Sequence, residues 1–164
     1  MADFQSFDIL AFHSCDRELG LQLINGNNEL HSSNNDWDWL GPGIYFWEQD
    51  PARALEYATA AAAGKQKIKK APNTPFVVGA VIQMGNCLNL VESTATDILS
   101  IAYEGLEKLT NTMGADMLVN NGKNRALDCA FIKYIHESNK QAGKPSYDTI
   151  RCAFPEGNRL ILAQ

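Results

Sequence analysis

The sequence predicts an α+β fold in a single domain, and three observations support this prediction. Segments rich in β-forming residues and amphipathic helical segments are mixed along the chain, without the regular strand–helix alternation of a doubly wound sheet. The chain has 164 residues, 45% of them hydrophobic, which suffices for a sizeable core. The sequence contains no repeats, low-complexity tail or interdomain linker, so we expect one domain spanning residues 1–164.

In the first part of the chain, the pattern predicts a strand, a helix and a polar loop. Residues 8–14 are apolar between polar flanks, which is typical of a buried strand. Asp16 can cap a helix over residues 17–24, and Gly26 can end it. Residues 27–38 are polar and rich in turn-forming residues, which indicates a loop that could cover a cleft.

The remaining elements follow from capping signals and hydrophobic periodicity. Asp50 and Pro51 form a strong helix start, and Thr94 with Asp97 could form a capping box. Strands are predicted over residues 44–47, 76–84, 87–90, 149–154 and 159–163, and further helices over residues 94–109 and 125–138. The apolar face of the first of these further helices should consist of Ile98, Ile101, Ala102, Leu106 and Leu109.

Charge and cysteine usage narrow the class of protein. A formal charge of −5 and a pI near 5.1 argue against coating of nucleic acid by bulk attraction. Residues 65–70 hold four lysines, which could contact a phosphate or an acidic partner; a solvated helix end is the simpler interpretation. The 4 cysteines are scattered without a zinc or redox motif, so we expect free thiols and no metal. No secretion signal or membrane-spanning run is visible, and we expect a cytoplasmic protein.

The most informative segment is residues 36–48, with the sequence DWDWLGPGIYFWE. Gly41 and Gly43 permit backbone conformations closed to other residues, and Pro42 fixes one φ angle. Aromatic faces beside exposed backbone groups suit a flat heteroaromatic ligand. The alternative is a hairpin whose aromatic side chains only fill a core.

The pair His13-Ser14, followed by the sequence GPGIYF at residues 41–46, resembles the NAD-binding signature of ADP-ribosyltransferases. The likeness is to the diphtheria-toxin and poly(ADP-ribose) polymerase type, in which a strand-borne histidine precedes a G-x-G-I-Y-F segment and a helix. Residues 50–58 match that helix, and Tyr57 lies where the polymerases have a second tyrosine that stacks on nicotinamide. The resemblance implies an ADP-ribosyltransferase-like split antiparallel sheet with flanking helices.

A closer likeness is to a bacterial family of ADP-ribosyltransferase-like domains, some of them toxins. It extends over most of the chain, through residues 38–48, 79–90, 127–130, 148–151 and 154–157. The first block is specific, whereas the later blocks support the resemblance only jointly. The family implies a toxin or a phage-defence effector.

The resemblance also implies roles for individual residues. His13 would hold a ribose hydroxyl, and backbone groups near Ser14 would pair with the carboxamide. Tyr45 and Tyr57 would sandwich the ring, and Gly43 is a further NAD-binding candidate. We therefore expect His13 and Tyr45 on neighbouring strands that line one cleft. Taken alone, a histidine at a strand end is more often structural.

Members of the ADP-ribosyltransferase superfamily normally have a third catalytic element, a glutamate or sometimes a glutamine on a late strand. In this sequence Glu156 is the natural substitute and Gln164 the second choice, although a Glu-Gly pair is otherwise an ordinary turn. Residues 159–164 would be a shortened form of the family's last strand, or that strand is missing. Ala54 also departs from the polymerases, which have a serine that bonds the carboxamide at this position.

The expected function is that of an NAD-dependent mono-ADP-ribosyltransferase, with NAD as co-substrate and an intracellular protein or nucleic acid as acceptor. The alternative is a catalytically inactive ADP-ribosyltransferase-like domain that binds a partner protein, such as an antitoxin. A third possibility is NAD hydrolysis, with water as the acceptor.

Overall fold

The structure is a computed structural model that describes residues 7–65, 68, 70–122, 124–156 and 159–163, with side chains described up to Ala153. The chain divides into two compact units. Among the described residues, the sheet unit contains residues 7–31, 45–65, 68, 70–84, 154–156 and 159–163, and the helix-pair unit contains residues 32–44, 85–122 and 124–153. In chain order the elements are β1 (Asp8–Asp16), α1 (Arg17–Ile24), β2 (Trp47–Glu48), α2 (Pro51–Ala62), β3 (Pro75–Gln83), β4 (Cys87–Asn89), α3 (Ala95–Thr112), α4 (Ala126–Gln141), β5 (Thr149–Glu156) and β6 (Arg159–Ala163).

The sheet unit is built on antiparallel strands. β1 pairs with β3 along its whole length, with Asp8 opposite Gln83, and with β2 on its other side, where Phe12 lies opposite Trp47. β2 in turn pairs with β6 through Trp47 and Ala163. The antiparallel strands and the mixture of strands with four helices among the described residues confirm the α+β prediction at this level.

Helix α2 packs on β1 and β3 through small side chains, because Ala54, Ala58 and Ala61 are all buried. The helix begins where the sequence predicted. The Asp50 carboxylate accepts a hydrogen bond from the Arg53 backbone N–H at 2.8 Å, and Pro51 occupies the first turn.

The cap of α1 was also predicted correctly, and it has a second role. One Asp16 carboxylate oxygen accepts from the Glu18 N–H at 2.9 Å, while the other accepts from the N–H groups of Asn73 at 2.7 Å and Thr74 at 3.0 Å. These backbone hydrogen bonds, led by that of Thr74, lower the pKa of Asp16. Asp16 therefore joins the start of α1 to the segment that enters β3.

In the helix-pair unit, α3 packs against α4, and β4 pairs with β5 in parallel, with Leu88 opposite Ile150. Gly105 allows α3 and α4 to approach each other closely, because a Cβ at this position would collide with the Tyr134 hydroxyl of α4. The buried core of this unit consists of Leu88, Ala102, Ile132 and Ile135.

Several expectations about element ends and faces were wrong. The predicted strand over residues 44–47 is only Trp47–Glu48 in the structure. Thr94 makes no side-chain cap because it already has helical dihedrals, with φ −62° and ψ −23°. On α3, Ile101 is 72% exposed although its spacing predicted a packing face.

The last strand was expected to be shortened or missing. The structure contains a strand over residues 159–163, β6, which pairs with β2. Whether it corresponds to the family's last strand depends on the resemblance and stays a prediction.

Candidate functional site

The histidine singled out from the sequence lies on β1 and is fixed by the chain that leads into β2. The Nδ1–H of His13 donates a hydrogen bond to the Tyr45 carbonyl oxygen at 2.8 Å. The ring also contacts Phe46, with centroids 5.5 Å apart. Because a carbonyl can only accept, this bond places the proton on Nδ1 and leaves the Nε2 lone pair as an acceptor.

The environment of His13 favours the neutral ring. Burial lowers the pKa of His13 below its ordinary value, and the hydrogen bond to Tyr45 offsets this only in part. A neutral imidazole with a defined tautomer can accept a hydrogen bond from a hydroxyl group at Nε2 and carries no positive charge. This is the chemistry needed to hold a ribose hydroxyl.

Ser14 has a structural contact. Its Oγ–H donates to the Ala54 carbonyl oxygen of α2 at 2.6 Å, which links β1 to α2. The polymerase-like serine that the resemblance would place at residue 54 is an alanine here, and the nearby hydroxyl of Ser14 is directed to that residue's backbone. A carboxamide contact near Ser14 would therefore have to come from backbone groups, and that contact stays a prediction.

Tyr57 contacts a residue that the sequence did not single out. Its ring lies against the Trp47 indole with centroids 5.8 Å apart and planes inclined by 52°. The Arg53 guanidinium lies 5.0 Å from the centroid of the same indole. Arg53 and Tyr57 are one helical turn apart on α2, and this spacing was the signal for a shared partner on the neighbouring strand.

Tyr45 was expected on a strand, but it lies two residues before β2, outside any strand. Its carbonyl oxygen accepts the hydrogen bond from His13. The strand that carries the histidine and the strand that follows the tyrosine are thus neighbours in the sheet. The two-tyrosine sandwich of Tyr45 and Tyr57 stays a prediction.

The remaining NAD-binding candidate, Gly43, belongs to the helix-pair unit. Its carbonyl oxygen accepts from the Ser33 N–H at 2.8 Å and from the Ser33 Oγ–H at 3.0 Å, and its own N–H donates to Ser33 at 3.2 Å. These bonds hold the turn closed. Only the first glycine of the turn requires its special conformation: Gly41 has φ +76°, whereas Gly43 does not have a positive φ.

Of the two candidates for the third catalytic position, Glu156 is described by its backbone alone and Gln164 is not described. Glu156 is the last residue of β5, and its side chain lies outside the described part of the structure. Gln164 lies outside the described residues altogether. The lysine cluster at residues 65–70 begins beyond the end of α2 and is described only in part.

The cysteines Cys15, Cys87, Cys129 and Cys152 are free thiols, as expected. Within residues 7–65, 68, 70–122 and 124–156, no helix has the length and apolarity to cross a bilayer. Comparison with protein-family models, with curated proteins and with solved structures finds no match to this chain.

Proposed function

We propose that this protein is an NAD-dependent mono-ADP-ribosyltransferase that acts in the cytoplasm on a protein or nucleic acid, as a toxin or a phage-defence effector. The observation that carries the proposal is the hydrogen bond from His13 Nδ1–H to the Tyr45 carbonyl oxygen at 2.8 Å. It joins the two motif residues that the resemblance assigns to NAD binding, although they are 32 positions apart.

The chemistry would proceed at C1′ of the nicotinamide ribose. The C1′–N bond breaks, its electron pair leaves with nicotinamide, and the acceptor forms a new bond to C1′ while losing a proton. The transition state has oxocarbenium character, as in glycoside hydrolysis. His13 would contribute by accepting a ribose hydroxyl at Nε2, which fixes the sugar while C1′ is attacked.

A protonated, positively charged imidazole would repel the positive charge that develops at C1′ and so destabilise the transition state. The lowered pKa of His13, caused by burial, keeps the ring neutral at physiological pH and avoids that repulsion. This supports a role beside the reacting ribose.

The test is incubation of the protein with NAD labelled in the adenylate part and with nicotinamide release measured in parallel. Transfer of label to a macromolecule together with nicotinamide release is the expected result. His13→Ala should abolish both, while His31→Ala, at an exposed loop position, should leave both unchanged. Activity in His13→Ala equal to that of the wild type would contradict the proposed role of His13 in NAD binding.

A second candidate function is partner binding by a catalytically inactive domain, for example to an antitoxin. It is favoured by an exposed apolar pair on the sheet, since Leu10 and Val81 lie directly opposite each other and are 48% and 72% exposed. No nicotinamide release, combined with a complex that Val81→Asp disrupts, would favour this candidate. Nicotinamide release without label on any macromolecule would instead indicate NAD hydrolysis.

A further inference from the structure

We infer that a cavity in the helix-pair unit binds a small organic cation with an aromatic or aliphatic body. The cavity has a volume of about 550 Å³ and lies among α3, α4 and the turn at Trp39-Leu40. This volume is in the range of pockets that hold small ligands. The inference does not depend on the proposed transferase activity.

Most of the cavity wall is apolar. Trp39, Tyr103 and Phe131 provide aromatic surface, and leucines at positions 40, 90, 99 and 127 line the remainder with Ile132. Aromatic and aliphatic walls of this kind bury the body of a ligand and gain free energy from the apolar area removed from water.

The loop at residues 35–39, which contributes Trp39 to the cavity, contacts α4 and its N-cap residue Arg125. Asp36 accepts a 2.9 Å ion-pair contact from Lys133, and the Asn35 carbonyl oxygen accepts from the Cys129 thiol at 3.4 Å. The Arg125 guanidinium lies 5.5 Å from the Trp39 ring centroid. These contacts hold Trp39 in place before any ligand arrives, which reduces the entropy cost of binding.

The charged groups of the cavity are carboxylates. Asp128 is already engaged, because Arg125 contacts it at 2.6 Å and Asn120 donates to it at 2.8 Å. Glu104 lines the exposed side of the cavity and has no ion-pair partner among the described residues. The cavity thus offers one uncompensated negative charge beside an apolar wall.

This arrangement selects a class of ligand by charge. No described lining residue is basic, and the neighbouring Arg125 is held by Asp128. A phosphate-bearing molecule such as NAD would meet Glu104 without a compensating cation, whereas an ammonium group would be attracted to it. The predicted ligand is therefore an amine and not an anion.

The test uses two probes of the same apolar body and opposite charge, phenethylamine and 3-phenylpropanoate, titrated into ¹⁵N-labelled protein. We expect the amine to shift the amide resonances of Tyr103 and Leu127, and the acid to shift them much less. Glu104→Gln should weaken the amine about threefold, the scale of one solvent-exposed ion pair. Glu107→Gln, an exposed carboxylate on the same helix that does not line the cavity, is the matched control and should change nothing.

A second variant tests the cavity itself. Ser100 is exposed at the cavity edge, so Ser100→Trp should fill the space without disturbing the core and should abolish the amine-dependent shifts. Amine shifts that persist in Ser100→Trp would overturn the assignment of the site. Equal binding of both probes, or no binding of either, would overturn the proposed ligand class.

Discussion

The Tyr57 ring of α2 lies against the Trp47 indole of β2, with centroids 5.8 Å apart. Arg53 contacts the same indole from the preceding turn of the helix. Trp47 also pairs with both neighbouring strands of the sheet unit, opposite Phe12 on β1 and Ala163 on β6. The contact therefore fixes α2 to the short strand that follows the candidate site.

Replacing Tyr57 by Ala should lower the free energy of unfolding by about 1–2 kcal/mol, because an aromatic pair and its buried area are lost together. Urea unfolding followed by tryptophan fluorescence measures the change. Tyr103→Ala is the control, since the Tyr103 side chain is 46% exposed, and it should cost less. Equal losses in the two variants would contradict a specific role for the Trp47 contact.

The pKa of His13 is lowered by burial, and this predicts a pH dependence of stability. In the unfolded chain a histidine titrates near pH ~6.5. Well above that pH, His13 is neutral in both the folded and the unfolded state and has no effect on the free energy of unfolding. As the pH falls through about 6.5, His13 takes up a proton in the unfolded state but stays neutral in the folded state. The free energy of unfolding should therefore decrease below about pH 6.5 until the folded-state pKa is reached.

Urea unfolding at a series of pH values measures this decrease, and His13→Phe should make it smaller. His136 contributes in the same direction because burial also lowers its pKa, so His136→Phe serves as a comparison. An identical pH profile in the wild type and in His13→Phe would show that His13 is not desolvated. Nicotinamide release, if present, should be lost over the pH range in which His13 becomes charged.

Gly41→Ala should destabilise the protein by about 1–2 kcal/mol, the cost of a left-handed backbone for an L-residue. Gly41 has φ +76°, and an added Cβ would also lie 3.1 Å from the Ile132 side chain. Gly43→Ala is the matched control, because a Cβ there meets nothing within 4 Å. Thermal unfolding of both variants checks the prediction, which fails if Gly43→Ala is the more destabilising one.

If the chain transfers ADP-ribose, Glu156→Gln should lower nicotinamide release at least about tenfold with NAD affinity almost unchanged. The carboxylate would hold a ribose hydroxyl and would stabilise the positive charge at C1′ by electrostatic attraction. Both effects act mainly in the transition state. Calorimetry for NAD affinity and a release assay separate the two. An unchanged rate would remove Glu156 from the mechanism and leave Gln164 as the next residue to vary.

Local signals in the sequence were sufficient for much of the secondary structure. Asp16 and Asp50 cap α1 and α2 as predicted, because a capping carboxylate acts on N–H groups only two or three residues ahead. Thr94 has the same capability but lies within a helical turn, so its hydroxyl makes no cap. Exposure of Ile101 was equally unpredictable, since periodicity identifies an apolar stripe but not whether another element covers it.

The sequence by itself determined the α+β class, the helix starts and the residues to consider, because caps, turns and periodicity act over a few neighbouring positions. Only the tertiary structure decided which residues meet: His13 with the Tyr45 carbonyl, Tyr57 with Trp47, and Trp39 with Arg125. The cavity beside Trp39 has the same origin, as its walls come from segments that are far apart in the chain. Contacts of this kind depend on strand register and helix packing, which no short stretch of sequence specifies.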